Sequence, residues 1–447
     1  MGALAGAATA LAVSRGSGDR AQGAAAPTPG HRLTYFDDVQ PIFAGRCARC
    51  HYDGGIAPFS LTDYRSAYAH RAAIAQAVRT RMMPPWLAQR GMLRFRDDPS
   101  LSDREISTIV RWVDAGAPRG KPRKPRSITA PHRAPGLPSR VDLSLAPAKP
   151  YTPKPVTDDY HCFQYRWPLG HPMYVTGLAA QPGQPSEVHH VAVYLLPPAY
   201  ASLVDRWDAA DPGEGYTCFG GPSGRDARII PIQLLGGWTP GSLGGDFPAG
   251  NGTLVRPGSR IVVQVHYNLG NTQPKPDRTA LDLELGRHAR RASWVFWLNV
   301  DWALEMLRGT RRAASGYAFD IPAGRKDVRV SVEGDPVPLF SAISGGLDLS
   351  NGFEIYGALL HMHRLGVSAK LVLERRSGRK ETLLSIPHWN FNEQRVYFFE
   401  KPIAFDPGDR LALECRYDNT TARDVRWGER SSDEMCVGSL YIGERKS

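Results

Sequence analysis

The sequence predicts a multidomain chain in which a small all-α unit precedes two all-β, antiparallel, jelly-roll-like sandwiches. Three observations support this fold class: apolar residues recur at helical spacing in the first quarter, a proline-rich basic stretch follows, and short β-branched and aromatic runs fill the rest. The length of 447 residues fits about three domains. The predicted divisions are a leader at 1–30, the helical unit at 31–118, a linker at 119–150, and sandwiches at 151–290 and 291–447.

Composition excludes two broad classes. With 42% hydrophobic and 22% charged residues, the chain has enough apolar material to form cores and is not disordered as a whole. It has no run of 18 or more apolar residues, so we predict no integral membrane segment. The formal net charge of +11 leaves nucleic acid, a membrane surface and acidic partners open.

The first residues read as a leader. Met1 to Val13 are small and weakly apolar, and Ala8, Ala10 and Ala12 have the spacing of a signal-peptide cleavage region. A basic start is missing from this stretch. A remnant of a secretion signal and an unstructured Ala/Gly leader are therefore both open.

A haem-attachment motif stands near the start of the helical unit. Cys47-Ala-Arg-Cys50-His51 is a CxxCH sequence, which places two thiols and one imidazole on a single turn. The thiols form thioether bonds with the vinyl groups of haem c, and the imidazole reaches the iron. A lone CxxC also holds zinc or a disulfide, so the surrounding sequence has to support the haem.

The surroundings have the pattern of a small helical domain. Apolar residues of the 36–43 segment have helical spacing, Tyr64 to Arg81 reads as a second helix, and a capping box at Ser102 and Glu105 begins a third. Gly116 ends that last helix. Residues 31–118 resemble a class I cytochrome c.

A methionine follows the second predicted helix. Met83 stands before a proline pair, where an axial thioether on a rigid loop is expected, so we predict Met83 as distal haem ligand and His51 as proximal ligand. Met82 and Met92 are alternatives, as is plain core packing. Bacteria attach c-type haem outside the cytoplasm, which predicts a periplasmic or secreted protein.

The linker contains much of the net charge. Seven basic residues, six prolines and no acid lie between Ala115 and Val141. Such a segment reads as a semi-rigid, solvated tether. A nucleic-acid tail is the alternative, but the segment lacks the aromatic residues on which bases stack, so we predict no nucleic-acid partner.

After Tyr151 the sequence alternates short strands with turn residues. The clearest predicted strands are Val188–Leu196, Ser259–Tyr267, Gly352–Leu360, Val367–Glu374 and Arg410–Tyr417. Paired or strand-borne histidines occur in this part of the chain: His189, His190, His266, His361 and His363. A surface or core histidine is the default interpretation for each one taken alone.

Spacing makes a metal site the sharper hypothesis. Residues i and i+2 of a strand share a face, so His361 and His363 can bind one ion together. Adjacent His189 and His190 can do so only at a strand end or a β-bulge. Imidazole suits copper, and a thioether such as that of Met435 favours Cu(I).

Cysteine spacing near the end of the chain adds a structural element. Cys415 lies on the strand that precedes Cys436, so Cys415–Cys436 is a plausible disulfide that would hold Met435 in place. The four cysteines outside the CxxCH motif form an even set, as expected in an oxidising compartment.

Five pieces of sequence, taken in order, carry a specific resemblance. They are Cys162 after Asp159-Tyr160, Val188-His189-His190, Val263-Gln264-Val265-His266-Tyr267, His361-Met362-His363-Arg364-Leu365-Gly366, and Met435-Cys436. Together they resemble the copper type II, ascorbate-dependent monooxygenases, the family of dopamine beta-monooxygenase and peptidylglycine alpha-hydroxylating monooxygenase. The resemblance spans about 290 residues.

The resemblance implies two copper ions and their ligands. An electron-storing copper would be held by His189, His190 and His266. A second copper, which binds O2 and faces the substrate, would be held by His361, His363 and Met435. It also implies a disulfide between Cys162 and Cys218.

The implied activity is hydroxylation of a C–H bond in a small organic substrate by O2. The electrons would be delivered through the fused haem from a periplasmic electron donor, by ascorbate, or by both. The alternative is a haem and copper electron-transfer or copper-binding protein without hydroxylase activity. Nitrite reduction requires a blue-copper cysteine, and no cysteine remains for it.

One departure from the family bears on the substrate. Peptide-amidating members clamp a carboxylate with an arginine and a tyrosine, but Leu359 and Ser439 stand at those positions. Leucine cannot supply the bidentate fork that a carboxylate clamp needs. Tyr441 is close enough in sequence to restore the tyrosine.

Several other residues have weaker assignments. Gln264 shares a strand face with His266, and Trp389, Gln394 and Tyr397 are candidates for the cleft lining, with core packing as the alternative. The remaining histidines lack paired spacing and are interpreted as surface or structural residues: His31, His70, His132, His161, His171, His288 and His388.

Overall fold

The computed structural model describes most of the chain. The described ranges are 31–53, 57–122, 137–218, 221–224, 233–239, 244–248, 250–269, 272–302 and 319–445. The predicted leader at 1–30 lies outside these ranges, and so does the 123–136 part of the predicted linker with His132.

The N-terminal unit is helical. A π turn at Tyr35–Val39 continues into α1, and the helices are α1 Gln40–Arg46, α2 Tyr64–Ala69, α3 Arg71–Arg79 and α4 Asp103–Asp114. The helix predicted over 64–81 is two helices, because the chain bends at His70, whose imidazole Nδ1 donates to the Ser66 carbonyl at 2.9 Å.

The start of α4 follows the sequence closely. The Ser102 hydroxyl accepts from the Glu105 backbone N–H, and the Glu105 carboxylate accepts from the Ser102 backbone N–H at 2.7 Å. The predicted capping box is therefore confirmed. It satisfies two backbone donors that the first turn of a helix would otherwise leave free.

The rest of the described chain is mostly β-sheet. Two further helices are α5 Ala201–Ala209 and α6 Val337–Ile343. The strands are β1 Leu143–Leu145, β2 Asp158–Arg166, β3 Met173–Gln181, β4 Val188–Leu196, β5 Tyr216–Thr217, β6 Gln233–Trp238, β7 Gly245–Asp246, β8 Asn251–Val255, β9 Arg260–Asn268, β10 Ala280–Gly286, β11 Arg290–Trp297, β12 Asp320–Ile321, β13 Val328–Gly334, β14 Phe353–His361, β15 Gly366–Glu374, β16 Lys380–Ile386, β17 Tyr397–Phe405, β18 Arg410–Tyr417, β19 Val425–Arg426 and β20 Val437–Glu444.

The five strands predicted most clearly are all present. β4 and β18 have the predicted bounds, β9 and β14 are each displaced by one residue, and β15 begins one residue earlier than predicted. In β18 buried and less buried residues alternate, as expected of a strand with one face on a core. Eight of the nine residues of β9 are buried, which fits its central place between β2 and β4.

The strands form two layered halves that share β11. In the first half, the β6-β4-β9-β2-β5 segment packs on the β1-β10-β3-β8 segment. In the second half, β17-β14-β20 packs on β13-β18-β15-β16. β11 pairs with β20 from Ala292 to Trp297 and also touches β6 and β8, so backbone hydrogen bonds connect the halves.

Each part of the molecule has its own apolar core. The helical unit is built around Tyr35, Phe43 and Trp112, all fully buried. No helix within the described ranges combines the length and apolarity that crossing a bilayer requires.

Candidate metal centres

The first cluster of histidines forms where β4 begins beside β9. His190 of β4 lies directly opposite His266 of β9, and the pairing register of these strands shifts between Val188 and His190. This shift is the irregularity that two adjacent histidines need in order to face one point. The structure thus brings His189, His190 and His266 together, with one ligand atom from each within 4.8 Å of the others.

The nitrogens of this cluster have the spacing of a metal site. The His190 Nδ1 lies 3.3 Å from the Nδ1 of His189 and 3.3 Å from the Nδ1 of His266. Metal–imidazole bonds of about 2.0 Å in a tetrahedral site would place two ligand nitrogens about 3.3 Å apart. His190 thus has the nitrogen separation that a shared metal ion requires from each of the other two histidines.

Burial keeps these imidazoles neutral, which is the state that binds metal. Desolvation lowers the pKa of His189 to about 3 and lowers that of His190 well below its ordinary value. Desolvation also lowers the pKa of His266, although the neighbouring carboxylate of Asp158 opposes this effect.

Asp158 orients His266. Its carboxylate accepts from the His266 Nε2–H at 3.0 Å, which leaves Nδ1 as the lone pair that faces the cluster. Burial alone would raise the pKa of Asp158, but the hydrogen bond from His266 and a second from Asn268 at 2.7 Å hold it well below its usual range. The Ser431 hydroxyl also donates to this carboxylate, at 3.0 Å.

The second cluster forms at the end of β14. His361 is the last residue of the strand, and the ring of His363 lies 5.0 Å from its ring at an angle of 82°. The His361 Nδ1–H donates to the Gln394 side-chain oxygen at 2.6 Å, and the His363 Nδ1–H donates to the Asp433 carbonyl at 3.0 Å. Both Nε2 atoms remain for a metal, and burial lowers the pKa of both imidazoles.

The segment that contains Met435 is fastened to this cluster. The buried Glu434 carboxylate accepts from the backbone N–H of His363 at 2.8 Å and of Leu365 at 2.6 Å. The Tyr417 hydroxyl donates to the Met435 carbonyl at 2.7 Å. Burial raises the pKa of Glu434 to about 7. Met435 is thus held on a backbone that is hydrogen-bonded to the His363 turn.

Both disulfides of the sequence analysis are present in the structure. Cys415–Cys436 joins β18 to the start of β20, directly after Met435. Cys162–Cys218 joins β2 to the segment after β5. Cys436 thus follows Met435 directly, and Cys162 pairs with Gln264 of β9, two residues from His266.

The two clusters lie next to each other. The ring centroids of His190 and His361 are 6.5 Å apart. Phe391 lies between the clusters, stacked on His189 at 4.3 Å and 6.2 Å from His363. The Asp158–Ser431 hydrogen bond also crosses between the two halves.

Sequence reasoning missed some of these residues and underrated others. Asp158 and Phe391 carried no spacing signal, because their roles arise from contacts across strands and loops. Gln394 was a candidate for the cleft lining, and it is the hydrogen-bond partner of His361. Gln264 instead donates to the Gly221 carbonyl at 2.8 Å.

The two residues at the positions of the missing carboxylate clamp are paired across neighbouring strands. Leu359 of β14 pairs with Ser439 of β20. Tyr441 does not replace the missing tyrosine, because it is fully buried with its ring 5.2 Å from Trp294 and 5.1 Å from Phe247.

The CxxCH turn has the features of a haem-attachment site. The thiols of Cys47 and Cys50 form no disulfide and are partly exposed. The His51 Nδ1–H donates to the Phe59 carbonyl at 2.9 Å, which leaves Nε2 for an iron. Met82 and Met83 are unusually exposed for methionines, at 65% and 40%, so either thioether is accessible to a haem. These residues fit the group.

Comparison with known proteins supports a family. Residues 344–443 match the model of the "Copper type II ascorbate-dependent monooxygenase, C-terminal domain". The chain is 26% identical over 280 residues to "MOXD1 homolog 2" of Drosophila melanogaster, covering 58% of this chain and 33% of that protein. It is 29% identical over 96 residues to human "DBH-like monooxygenase protein 1", covering 21% of this chain and 16% of that protein.

A mouse relative matches a similar stretch. "DBH-like monooxygenase protein 2" of Mus musculus is 24% identical over 258 residues, covering 56% of this chain and 37% of that protein. The chain thus spans about a third of the length of the relatives it matches over its longer stretches. These matches support the copper type II ascorbate-dependent monooxygenase family and, with it, an oxidoreductase.

Similarity to solved structures is slight. The match to the VP2 subviral particle of infectious bursal disease virus covers 68% of this chain and 72% of the viral chain, at 11% identity and a TM-score of 0.16. A score this low carries no argument about fold or function.

Proposed function

We propose that the protein is a copper-dependent monooxygenase that hydroxylates a C–H bond of a small organic substrate with O2. The observation that carries this proposal is the pair of adjacent clusters, with His190 and His361 rings 6.5 Å apart. In one cluster three imidazoles meet. In the other, two imidazoles lie beside the Met435 segment, which backbone hydrogen bonds to Glu434 hold in place. The second cluster lies within the segment that matches the monooxygenase family model.

The ligands would divide between two copper ions. His189, His190 and His266 would hold the electron-storing copper. His361, His363 and Met435 would hold the copper that binds O2 and faces the substrate. When bound, these ions supply one-electron storage and the activation of O2.

The chain's own residues would prepare both sites. Asp158, Gln394 and the Asp433 carbonyl each accept a hydrogen bond from one imidazole N–H, so that the other nitrogen faces the metal. Glu434 would keep the Met435 segment against the His363 turn through its backbone hydrogen bonds.

The helical unit would be a cytochrome c domain. Its haem would be attached to Cys47 and Cys50, with His51 as proximal ligand and Met83 as distal ligand, Met82 being the alternative. It would pass electrons from a periplasmic donor to the copper domains, alongside or in place of ascorbate. The covalent haem and the two disulfides favour a periplasmic or secreted protein.

The domain division accords with this function. Residues 31–118 would form the cytochrome domain, 119–150 the linker, 151–290 the sandwich with the electron-storing copper, and 291–447 the sandwich with the O2-binding copper. Substrates that depend on a carboxylate clamp are disfavoured, because Leu359 and Ser439 offer no cation.

Oxygen incorporation tests the proposal directly. Protein with confirmed copper and haem content is reduced with ascorbate and incubated under 18O2 with panels of amines, peptides, aromatics and sterols. A single-atom gain of 18O in one class of product supports the proposal. Full metal content with no incorporation in any class favours the electron-transfer or copper-binding alternative.

A further inference from the structure

The loop between α3 and α4 leaves the helical unit and packs into the C-terminal half. Ala88 and Phe95 are buried in the core of that half, and Trp86, Leu87 and Leu93 pack against it. We call residues 86–96 the anchor. The anchor begins three residues after the candidate distal ligand of the haem.

Backbone hydrogen bonds hold the anchor in place. The Arg96 N–H donates to the Phe398 carbonyl at 2.7 Å, and the Gln89 N–H donates to the Ser385 carbonyl at 2.8 Å. The Ser385 hydroxyl also donates to the Gln89 side-chain oxygen at 2.8 Å. The anchor is therefore fixed to the ends of β16 and β17 in a defined register.

The CxxCH turn is fastened to the end of the same loop. Arg46 precedes the first cysteine, and its guanidinium donates to the Asp98 carbonyl at 3.1 Å. Arg49 precedes the second cysteine and donates to the Asp97 carbonyl at 3.4 Å. These two hydrogen bonds connect the haem-attachment turn to the residues that directly follow the anchor.

On the side of the sandwich, Arg395 and Gln394 connect the anchor to a candidate copper ligand. The Arg395 guanidinium lies 5.8 Å from the Trp86 ring centroid, and the neighbouring Gln394 contacts the His361 Nδ1 at 2.6 Å. Contacts therefore run from the anchor through Arg395 and Gln394 to His361.

We propose that the anchor docks the haem-carrying unit on the C-terminal sandwich, so that electrons enter the copper domains at His361 through the Arg395–Gln394 segment. The step is a one-electron transfer: haem Fe(II) becomes Fe(III), copper Cu(II) at His361 becomes Cu(I), and no bond is made or broken. The inference rests on the proposed function, because it requires both a haem and a copper.

The alternative to this proposal is that the electron passes from the haem to the electron-storing copper first. Gln394 contacts His361, whereas the carboxylate that orients the three-histidine cluster, Asp158, is hydrogen-bonded to Asn268 and Ser431 instead. Gln394 therefore contacts His361 directly, whereas it reaches His189 only through Phe391, whose carbonyl accepts from the Gln394 amide at 2.9 Å and whose ring stacks on His189.

Flash photoreduction provides the test. Haem absorbance and metal analysis first verify one haem and two copper ions per chain, or one haem and the remaining copper ion in the histidine variants. The oxidised protein then receives one electron from a photoexcited deazaflavin without O2. Reoxidation of the haem is then followed by its absorbance. The variants are Phe95→Ser in the anchor, Tyr68→Ser as a control on an exposed aromatic of the same unit, His361→Ala and His190→Ala.

We expect first-order reoxidation that is independent of protein concentration. It should slow at least tenfold in Phe95→Ser and remain unchanged in Tyr68→Ser. It should be lost in His361→Ala and retained in His190→Ala. An unchanged rate in metal-replete Phe95→Ser, or loss in His190→Ala with retention in His361→Ala, overturns the proposal.

Two features keep the outcomes separable. If Phe95→Ser does not fold, the two histidine variants still decide the point of entry. A protein that binds no haem contradicts the cytochrome assignment before any kinetics, whereas a protein with haem and copper but the wrong entry point contradicts only this inference.

Discussion

The imidazole rings of the two clusters are oriented by acceptors on opposite nitrogens. At the first cluster the Asp158 carboxylate binds the Nε2–H of His266, so Nδ1 faces the centre. At the second, Gln394 binds the Nδ1–H of His361, so Nε2 is available. Because each acceptor fixes a tautomer, replacing it is expected to affect one metal and spare the other.

Asp158→Asn tests this selectivity. An amide is a weaker acceptor than a carboxylate, so copper affinity at the three-histidine cluster should fall by roughly 10–100-fold, while the other site keeps its affinity. Competition titration with a copper chelator measures both affinities. Asp159→Asn is the neighbouring control, because its carboxylate binds Tyr151 and Lys154 instead. Equal loss at both sites would contradict the assigned role.

Met435→Ala removes the proposed thioether ligand. The three-histidine copper should stay filled, the sulfur contribution to the Cu(I) X-ray absorption spectrum should disappear, and hydroxylation should be abolished. Met362→Leu is the control, since Met362 is fully buried in the core between the two histidines and its replacement keeps a similar volume. Retained turnover in Met435→Ala would refute the role of Met435.

His161 has a structural role that a pH experiment can measure. It stacks on Tyr151 at 3.8 Å, its Nε2–H donates to the Glu214 carbonyl, and burial lowers its pKa. The unfolded imidazole takes up a proton below about pH 6.5 while the folded one resists, so stability falls as pH drops through this range.

His161→Gln should remove this part of the acid sensitivity. Between pH 6.5 and pH 5 the wild type should lose up to about 2 kcal/mol more unfolding free energy than the variant. Urea unfolding at the two pH values measures the difference. Identical pH dependence in both proteins would show that His161 is not responsible.

At the scale of elements, each cluster depends on a junction between strands. The first needs the register shift of β4 against β9, and the second needs the turn after β14 held by the segment before β20. Each half of the molecule also has one disulfide. Cys162–Cys218 joins residues 56 positions apart in the chain, and Cys415–Cys436 joins residues 21 positions apart. Covalent closure of a loop stabilises mainly by restricting the unfolded chain.

Removing the disulfides one at a time should separate the two junctions. Loop-closure entropy predicts losses of about 4 kcal/mol for Cys162→Ser with Cys218→Ser, and about 3 kcal/mol for Cys415→Ser with Cys436→Ser. The second pair should also weaken copper at the Met435 site. Urea unfolding and metal analysis provide the measurements, and each double variant is the control for the other. Copper loss from the same site in both would contradict separate junctions.

At the scale of the whole molecule, the anchor changes how the helical unit relates to the sandwiches. The proline-rich linker suggested a tether that only raises local concentration. The structure adds direct contacts, with Phe95 7% exposed in the core of the C-terminal half. The helical unit is therefore docked, and its loop completes that core.

Cleavage of the linker tests the docking. After limited trypsin cleavage at the basic residues Arg126 and Arg133, the two fragments should elute together in size-exclusion chromatography, because the buried anchor holds them. The same cleavage in Phe95→Ser should release the helical fragment, and in Tyr68→Ser should not. Separation of the wild-type fragments would show that the contacts do not hold in solution.

Residue types and short spacings were enough to predict the chemistry that is available. It specified the CxxCH turn, the histidine pairs, the even set of cysteines, and strands such as β4 and β18, because these depend on residue type and on short spacing. It also indicated that adjacent His189 and His190 need a bulge in order to converge. Only the tertiary structure placed that bulge between Val188 and His190.

Other features were decided by contacts between residues far apart in the chain. Which imidazole nitrogen faces each centre depends on Asp158 and Gln394, and the proximity of the two clusters depends on how the halves pack. The anchor reads locally as a loop of the helical unit, yet it is buried in another core. Local periodicity contains no information on such partners, because their energies arise only when distant segments meet.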